Sequence, residues 1–459
     1  MKAVTTEQMR ALDARTIAAG TPADELMERA GRAVAQQVLA LLQHSDSRAV
    51  FLFAGKGNNG GDAIIAARHL AAAGYDATLV LVEPRPITDF AGLTICSLDS
   101  LPAQPPAVVV DGLLGTGLTG SIREPYATAI QRINSLGAPV LAIDIPSGLG
   151  TGTCVRATHT ITIGLPKIDL LQSPDEVGEL VVADIGLLRD VESEIELITA
   201  ADIAPLLPPR KRTAHKGDFG HLLILAGSEG YTGAPVLCAH AAARAGAGRV
   251  TLAVPRTIYP IVAAQCPPEI MPRPLENLDY DRYDAIAIGP GIGCDTPWLF
   301  PLITGVNKPL ILDADALTTL AGNLGVLKKA RAILTPHPGE MARLTGRPVT
   351  DRWQTARDFA RQHNIVLALK GAGTVVAAAT GPLWINSTGN PGMAKGGMGD
   401  ALTGIIGALV AQGLSPLDAT QAGVFLHGRA GDLAAERFGQ SALSTTDLIA
   451  HLSGAFQFR

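Results

Sequence analysis

The chain has 459 residues, 47% hydrophobic and 17% charged, which suits two domains with buried cores and excludes a disordered chain. A formal net charge of -5 provides no global basic surface for nucleic acid or an anionic membrane. Fifty glycines stand against 10 Phe, 6 Tyr and 3 Trp, so the cores must be built from Ala, Val, Leu and Ile, and the glycines must serve turns and close backbone approaches.

The first twenty residues are polar with a helical period and lack the apolar stretch of a signal peptide. Thr5 or Thr6 is placed to cap a helix carrying Met9, Leu12 and Ile17. A second helix is predicted from Pro22 to about Leu42. AVFLFAG, ending at Gly55, reads as a buried parallel strand, followed by a glycine-rich turn and the helix DAIIAARHLAAAG. Strands at 77–82 and 107–115, a helix at 123–136 and strands at 139–148 and 158–164 continue the alternation, which implies βαβ units. Residues 204–217, APLLPPRKRTAHKG, read as a linker. Beyond it the strands HLLILAG, RVTLAVP, YDAIAIGPG, KPLILDADAL and RAILTPHPGE alternate with helices, then NIVLALKGAGTVVAA and three closing helices follow. The expected fold class is therefore α/β in two domains, about 1–205 and 215–459, the first a Rossmann-like parallel-sheet domain. No stretch of 18 apolar residues offers a membrane span. The five cysteines are scattered without a CxxC pair, so a reduced, cytoplasmic setting is expected.

Ligands of open parallel sheets bind beyond the carboxyl ends of the strands, and the unusual residues fall there. GKGNNGGDA at 55–63 offers the carboxamides of Asn58 and Asn59, the bare backbones of Gly60 and Gly61, and Asp62, read here as the start and cap of the next helix. A tight turn alone would not need so many special residues. Asp111 ends a second strand and precedes GLLGTGLTGS, a run able to wrap a phosphate. Asp144 and Ser147 follow a third strand. Asn59, Asp111 and Ser147 all carry oxygen and suit a hard, weakly held cation, which leaves Asp144 free to move a proton.

In the second half, AGSEGYTGAP at 226–235, GPGIG at 289–293 and the acids Asp313 and Asp315 also stand at strand ends. His337 and Glu340 lie in TPHPGE, with no second His or Cys at zinc spacing. KGAGT at 370–374 can hold nucleotide phosphates. NPGMAKGGMGDALTG at 390–404 passes from glycines straight into a helix, which makes an anion hole, with Asp400 placed as general base for phosphoryl transfer and Mg²⁺ expected beside the phosphates.

With these motifs the chain resembles, over nearly its whole length, the bifunctional NAD(P)H-hydrate repair enzymes. The resemblance implies an N-terminal NAD(P)H-hydrate epimerase domain. It implies a C-terminal ADP-dependent (S)-NAD(P)H-hydrate dehydratase domain with a ribokinase-like fold. Hydrate binding would fall on Asn58, Asn59, Gly60, Gly61 and Asp62, on Gly115, Thr116, Gly117, Leu118, Thr119, Gly120 and Ser121, and on Asp144. Potassium would be held by Asn59, Asp111 and Ser147. In the dehydratase domain Ala234, Gly291, His337 and Asp400 would meet the hydrate, while Lys370, Gly371, Ala372, Gly373, Thr374 and Gly399 would meet ADP. Asp144 and Asp400 would be catalytic. The implied partners are the hydrates of NADH and NADPH (NADHX and NADPHX), ADP with Mg²⁺, and a second copy of the chain in a homo-oligomer. Nucleic acid and membrane are not expected. Two departures stand out: Ala63 where such chains often have Gly, which requires only that position 63 avoid positive φ, and Lys395 where they often have Thr or Ser, a cation that would either tighten nucleotide binding or face solvent. Two alternatives stay open: a small-molecule kinase of the ribokinase class, and a domain that binds without turnover.

Overall fold

The computed structural model describes residues 1–43, 45–85, 92–117 and 120–458, so Leu118 and Thr119 lie outside the described residues. The chain forms two compact units, dividing between Ser193 and Glu194.

Among the described residues the first unit contains seven strands: β1 (Ala49–Ala54), β2 (Asp76–Leu81), β3 (Thr94–Ser97), β4 (Val108–Gly112), β5 (Val140–Ile143), β6 (His159–Ile163) and β7 (Glu179–Ala183). They pair in the order β3-β2-β1-β4-β5-β6-β7, all parallel. Both faces are covered, as a parallel sheet requires. Leu52, Leu79, Val110 and Leu141 pack with Val34, Val38, Ala66 and Leu70 of two helices on one face. Phe51, Phe53 and Val109 meet Ile130 and Ile133 on the other. The strand order reverses between β1 and β4, and a crevice opens at the carboxyl ends there.

Local sequence explains the opening helix, Thr6–Ala18. The Thr5 side chain accepts from the Gln8 amide at 3.2 Å, and Gln8 reaches back to the Thr5 amide. Its inner face is Met9, Leu12 and Thr16. Ile17, expected to be inward, is 43% exposed, because Thr16 takes the buried position by bonding its hydroxyl to the Leu12 carbonyl at 2.8 Å.

The second unit holds β8 (Ile195–Ile198), β9 (His221–Leu225), β10 (Arg249–Val254), β11 (Met271–Pro274), β12 (Ala285–Ile288), β13 (Leu310–Leu312), β14 (Ala332–Leu334), β15 (Val366–Leu369), β16 (Val375–Ala377) and β17 (Leu383–Asn386). The order is β11-β10-β9-β12-β13-β14-β15-β16-β17-β8, and the pairs flanking β16 are antiparallel. The reversal of order falls between β9 and β12. The helix Met398–Ala411 is apolar nearly all round and buried, with helices Gly233–Arg244 and Pro416–Phe438 packed on it. Position 404 must be glycine, because a Cβ would stand 2.1 Å from the Cys238 carbonyl oxygen.

The division lies upstream of the expected linker. The Pro- and Arg-rich stretch is a connection within the second unit, since β8 precedes it and pairs in parallel with β17. Four residues, IELI, carry too little periodicity to announce a strand, and their partner is almost 190 residues away. Edge strand β11, MPRP, was hidden by its prolines, which edges tolerate. Among the described residues no helix is long and apolar enough to cross a membrane.

Candidate functional sites

In the first unit, β1 runs out at Gly55 and the helix Asn58–Ala72 begins almost at once, with Gly57 as its N-cap. Asn58 to Asp62 are therefore the helix's first turns rather than a loop before it. This corrects the expectation for Asp62, which neither starts nor caps the helix. It lies on the fifth helical residue, 6% exposed. The reason is Gly60: a Cβ there would sit 2.0 Å from the Gly55 carbonyl oxygen, so only glycine lets the helix press against the end of β1. Ala63 lies in this helix and needs no positive φ.

Asn59, Asp111 and Ser147 do come together. The Asn59 carboxamide donates to the Ile143 carbonyl at 2.6 Å. Asp111, fully buried, accepts from the Ser147 hydroxyl at 2.6 Å and from the Ser147 amide at 2.8 Å. The Leu114 carbonyl accepts from the same hydroxyl at 3.1 Å. Burial raises the Asp111 carboxyl to about 6, against the pull of its Ser147 and Leu113 hydrogen bonds. Among the described residues no basic side chain pairs with it. A buried carboxylate ringed by neutral oxygens, without an ion pair, is a donor set that fits a hard monovalent cation.

A second cluster adjoins. Asp144 follows β5 with φ +67°, a conformation seldom adopted outside glycine. Its Oδ1 accepts from the Lys167 ammonium and from the Ile163 amide at 3.0 Å. Asp62 feels burial first and then the Asp144 charge, opposed by Arg85, and its carboxyl is pushed up to about 8. Asp13 is raised as well, by burial, against the pull of Lys167. Arg85 donates to the carbonyls of Gly55 at 3.0 Å and Gly57 at 3.1 Å, which fixes the glycine turn.

Gly115 lies against the Asn59 carboxamide, where a Cβ would be 2.5 Å from Oδ1. Gly115, Thr116 and Gly120 line a small cavity with Thr6, Pro146 and Asp169. Asn58, Gly117, Gly120 and Ser121 are exposed. Sequence reasoning missed Lys167, Arg85 and Asp13. Each belongs to a segment with no glycine-rich or strand-end motif to mark it.

In the second unit the marked residues gather at the carboxyl ends of β9, β12, β13, β14 and β15. Gly291, φ +62°, faces Ala234: a Cβ on it would stand 3.4 Å from that of Ala234. Asp315 accepts from the Gly293 amide at 2.9 Å. Asp313, 1% exposed, accepts from Lys370 Nζ at 2.6 Å and from the Thr403 hydroxyl at 2.7 Å. Glu340 stands 3.7 Å from Lys370 Nζ and accepts from the His337 amide at 2.8 Å. His337 caps the helix Pro338–Thr345, with Nδ1 accepting from the Gly339 and Glu340 amides. Burial opposes the charge on Lys370, but Asp313 and Glu340 more than offset it and its pKa is raised.

Gly399 abuts this group, its absent Cβ 3.3 Å from Lys370 Nζ. Asp400, in the first turn of Met398–Ala411, is pushed up to about 7 by burial and then by Asp313, with Lys370 pulling the other way. The turn from Lys370 to Thr374 closes around a residue the sequence did not flag. Arg352 donates to the Ala372 carbonyl at 2.7 Å and to those of Leu369, Lys370 and Gly373 at 3.2–3.4 Å. Lys395 lies exposed, the second of the two outcomes expected of it, and its ammonium also binds the Ser441 carbonyl at 2.7 Å and that of Leu443, bracing the glycine loop.

Two sheet units, the first all parallel and the second mostly so, each with polar groups converging at its strand ends, define an α/β enzyme. Comparison with known proteins gives the family. Residues 222–453 match the family model described as NAD(P)H-hydrate dehydratase, and residues 23–168 match the YjeF-related protein N-terminus. The bifunctional NAD(P)H-hydrate repair enzyme of Coxiella burnetii is 39% identical, with 97% of each chain covered. That of Escherichia coli K12 is also 39% identical, over 93% of this chain and 88% of its own. The crystal structure of the ADP/ATP-dependent NAD(P)H-hydrate dehydratase from Bacillus subtilis, co-crystallised with ATP/Mg²⁺, is 31% identical with a TM-score of 0.52, covering 59% of this chain and all of its own. The chain belongs to the bifunctional NAD(P)H-hydrate repair enzyme family.

Proposed function

We propose that the first unit interconverts the R and S hydrates of NADH and NADPH, and that the second dehydrates the S form at the expense of ADP, giving AMP and phosphate. The observation that carries the second half is Asp400 in the first turn of a glycine-led helix, beside Lys370. Hydroxide is a poor leaving group. Asp400 takes the proton of the ring hydroxyl as that oxygen attacks the terminal phosphorus of ADP. The helix N-terminus and Lys370 offset the charge on the transferring group. Phosphate then departs as the ring double bond re-forms. Mg²⁺ bound with the nucleotide would neutralise charge on its phosphates. Ala234, Gly291 and His337 meet the hydrate, while Lys370 to Thr374 and Gly399 meet ADP.

In the first unit the environments of two carboxyls diverge, which assigns acid and base. Asp62, holding its proton at neutral pH, gives it to the departing ring hydroxyl, while the ring nitrogen supplies the electrons. Asp144, ion-paired to Lys167, takes a proton from the water that returns to either face. Asn59, Asp111 and Ser147 would hold potassium, which would supply positive charge there. Asn58 to Asp62 and the 115–121 run grip the nucleotide. A cytoplasmic homo-oligomer completes the reading, and sedimentation tests its assembly.

The decisive experiment incubates mixed NADH hydrates with the protein and ADP or ATP. Absorbance should recover from both epimers. Asp400→Asn should abolish ADP-driven dehydration while R and S hydrates still exchange. Loss of exchange as well, in folded protein, would refute the division between sites.

A further inference from the structure

Lys167 is among the largest fully buried side chains of the protein, 1% exposed. An ammonium is held out of water only where its protons are satisfied and its charge is paired. All three donors are engaged: one on Asp144 Oδ1, one on the Thr162 hydroxyl at 3.0 Å and one on the Ile163 carbonyl at 2.8 Å. The backbone on either side is clamped, since the Val4 amide donates to the Pro166 carbonyl and the Ile168 amide to the Val4 carbonyl, each at 2.9 Å. The lysine therefore has one place to stand.

Its partner is placed with equal care. The Asp144 backbone has left-handed φ, and its own amide is held by the Ile161 carbonyl at 2.8 Å. Every hydrogen bond described for its carboxylate, from Lys167, the Ile163 amide and the Thr162 hydroxyl at 3.5 Å, falls on Oδ1. Oδ2 has no described partner, and the side chain remains 14% exposed. One oxygen is tied into the protein and the other is presented.

We propose that Lys167 is a positioning residue for epimerisation, holding the Asp144 side chain by Oδ1 so that Oδ2 faces the reacting ring. The proposal rests on the reading above in which Asp144 moves a proton, and it adds the group that aims it. A pair that served stability alone would not require the second oxygen to be left over.

The test compares Lys167→Met, Lys167→Arg, Thr162→Val and Asp144→Asn in the full chain, following R/S exchange of NADH hydrates by kcat and KM separately. Lys167→Met should lower kcat by about 100-fold with KM changed less than about threefold, Lys167→Arg should recover part of that loss, and Thr162→Val should lower kcat several-fold. Wild-type kcat in folded Lys167→Met overturns the proposal, as does a loss confined to KM. Should Lys167→Met fail to fold, Thr162→Val and Lys167→Arg decide, and unchanged kcat in both overturns it. Full exchange by Asp144→Asn would instead remove the reading beneath it.

Discussion

Asp62 makes a quantitative demand on the first unit. Its carboxyl titrates near 3.8 when unfolded and at about 8 when folded, because burial and the Asp144 charge both disfavour ionisation. Between those values the folded chain binds a proton that the unfolded chain does not, so stability falls as pH rises across that window and levels above about 8. From pH 5 to pH 7 the change is two units at about 1.4 kcal/mol each, or about 3 kcal/mol. Asp62→Asn, a neutral near-isostere, should abolish this share of the slope and leave the variant more stable than the parent at pH 7 by about 4 kcal/mol. Other groups also titrate, Asp111 among them, so the difference between the two proteins is the quantity to measure. All three tryptophans, at 298, 353 and 384, lie in the second unit, so fluorescence does not report on the first. Hydrogen exchange of peptides spanning β1 and β4 does. After correction for intrinsic exchange, protection in the parent should fall about 100-fold more than in the variant between pH 5 and pH 7. Parallel pH profiles in the two proteins would refute the argument that Asp62 is folded in neutral form.

Other outcomes follow from the same geometry. ADP-driven dehydration should rise with pH through about 7 as Asp400 loses its proton, and Asp313→Asn should shift that limb to lower pH by removing a charge that raises it; a pH–rate profile of kcat/KM reads both. Arg352→Met unties four carbonyls of the 369–373 turn and should weaken ADP binding by about 1.5–3 kcal/mol while leaving epimer exchange alone, as isothermal titration and the exchange assay would measure. Gly60→Ala should destabilise the first unit by about 3 kcal/mol, because the added methyl would press on the Gly55 backbone carbonyl with nowhere to relax. Gly57→Ala, with nothing within 4 Å of the added methyl, should cost only about 0.5–1 kcal/mol, the disadvantage of Ala against Gly as an N-cap; hydrogen exchange separates the two.

How far the sequence spoke for the fold can be judged residue by residue. Runs such as AVFLFA and HLLIL became β1 and β9 because a strand buried on both faces must be apolar throughout, which a linear pattern records directly. Asn59, Asp111 and Ser147 were legible for a related reason: each lies at or just beyond the carboxyl end of a strand, and parallel strand ends point the same way. Asp62 was expected beyond the end of β1, where it lies, but its place in the helix was misread. A glycine pair reads as a turn unless one knows that Gly55 presses on it from a strand end. Lys167 and Arg352 were invisible because their partners are a carboxylate 23 residues earlier and carbonyls about 20 residues later, and no local pattern marks a lone basic residue as buried. Lys395 was seen, but only its destination at residues 441 and 443 shows it to be a brace.

Strand β8 bears on how such a two-activity chain can be taken apart. Its four residues follow the last residue of the first unit by two positions, and they finish the sheet of the second. A cut in the proline-rich stretch near 205, where composition invites it, would leave that strand attached to the wrong piece. The dehydratase fragment would then expose the unpaired edge of Leu383–Asn386, an apolar segment open to pairing with another copy, and Ser387 would lose the Ile198 carbonyl it holds at 2.6 Å. A cut at 193 keeps the edge covered. Separating the two activities, whether by a protease or by gene fission, therefore has a narrow permitted seam on the near side of β8.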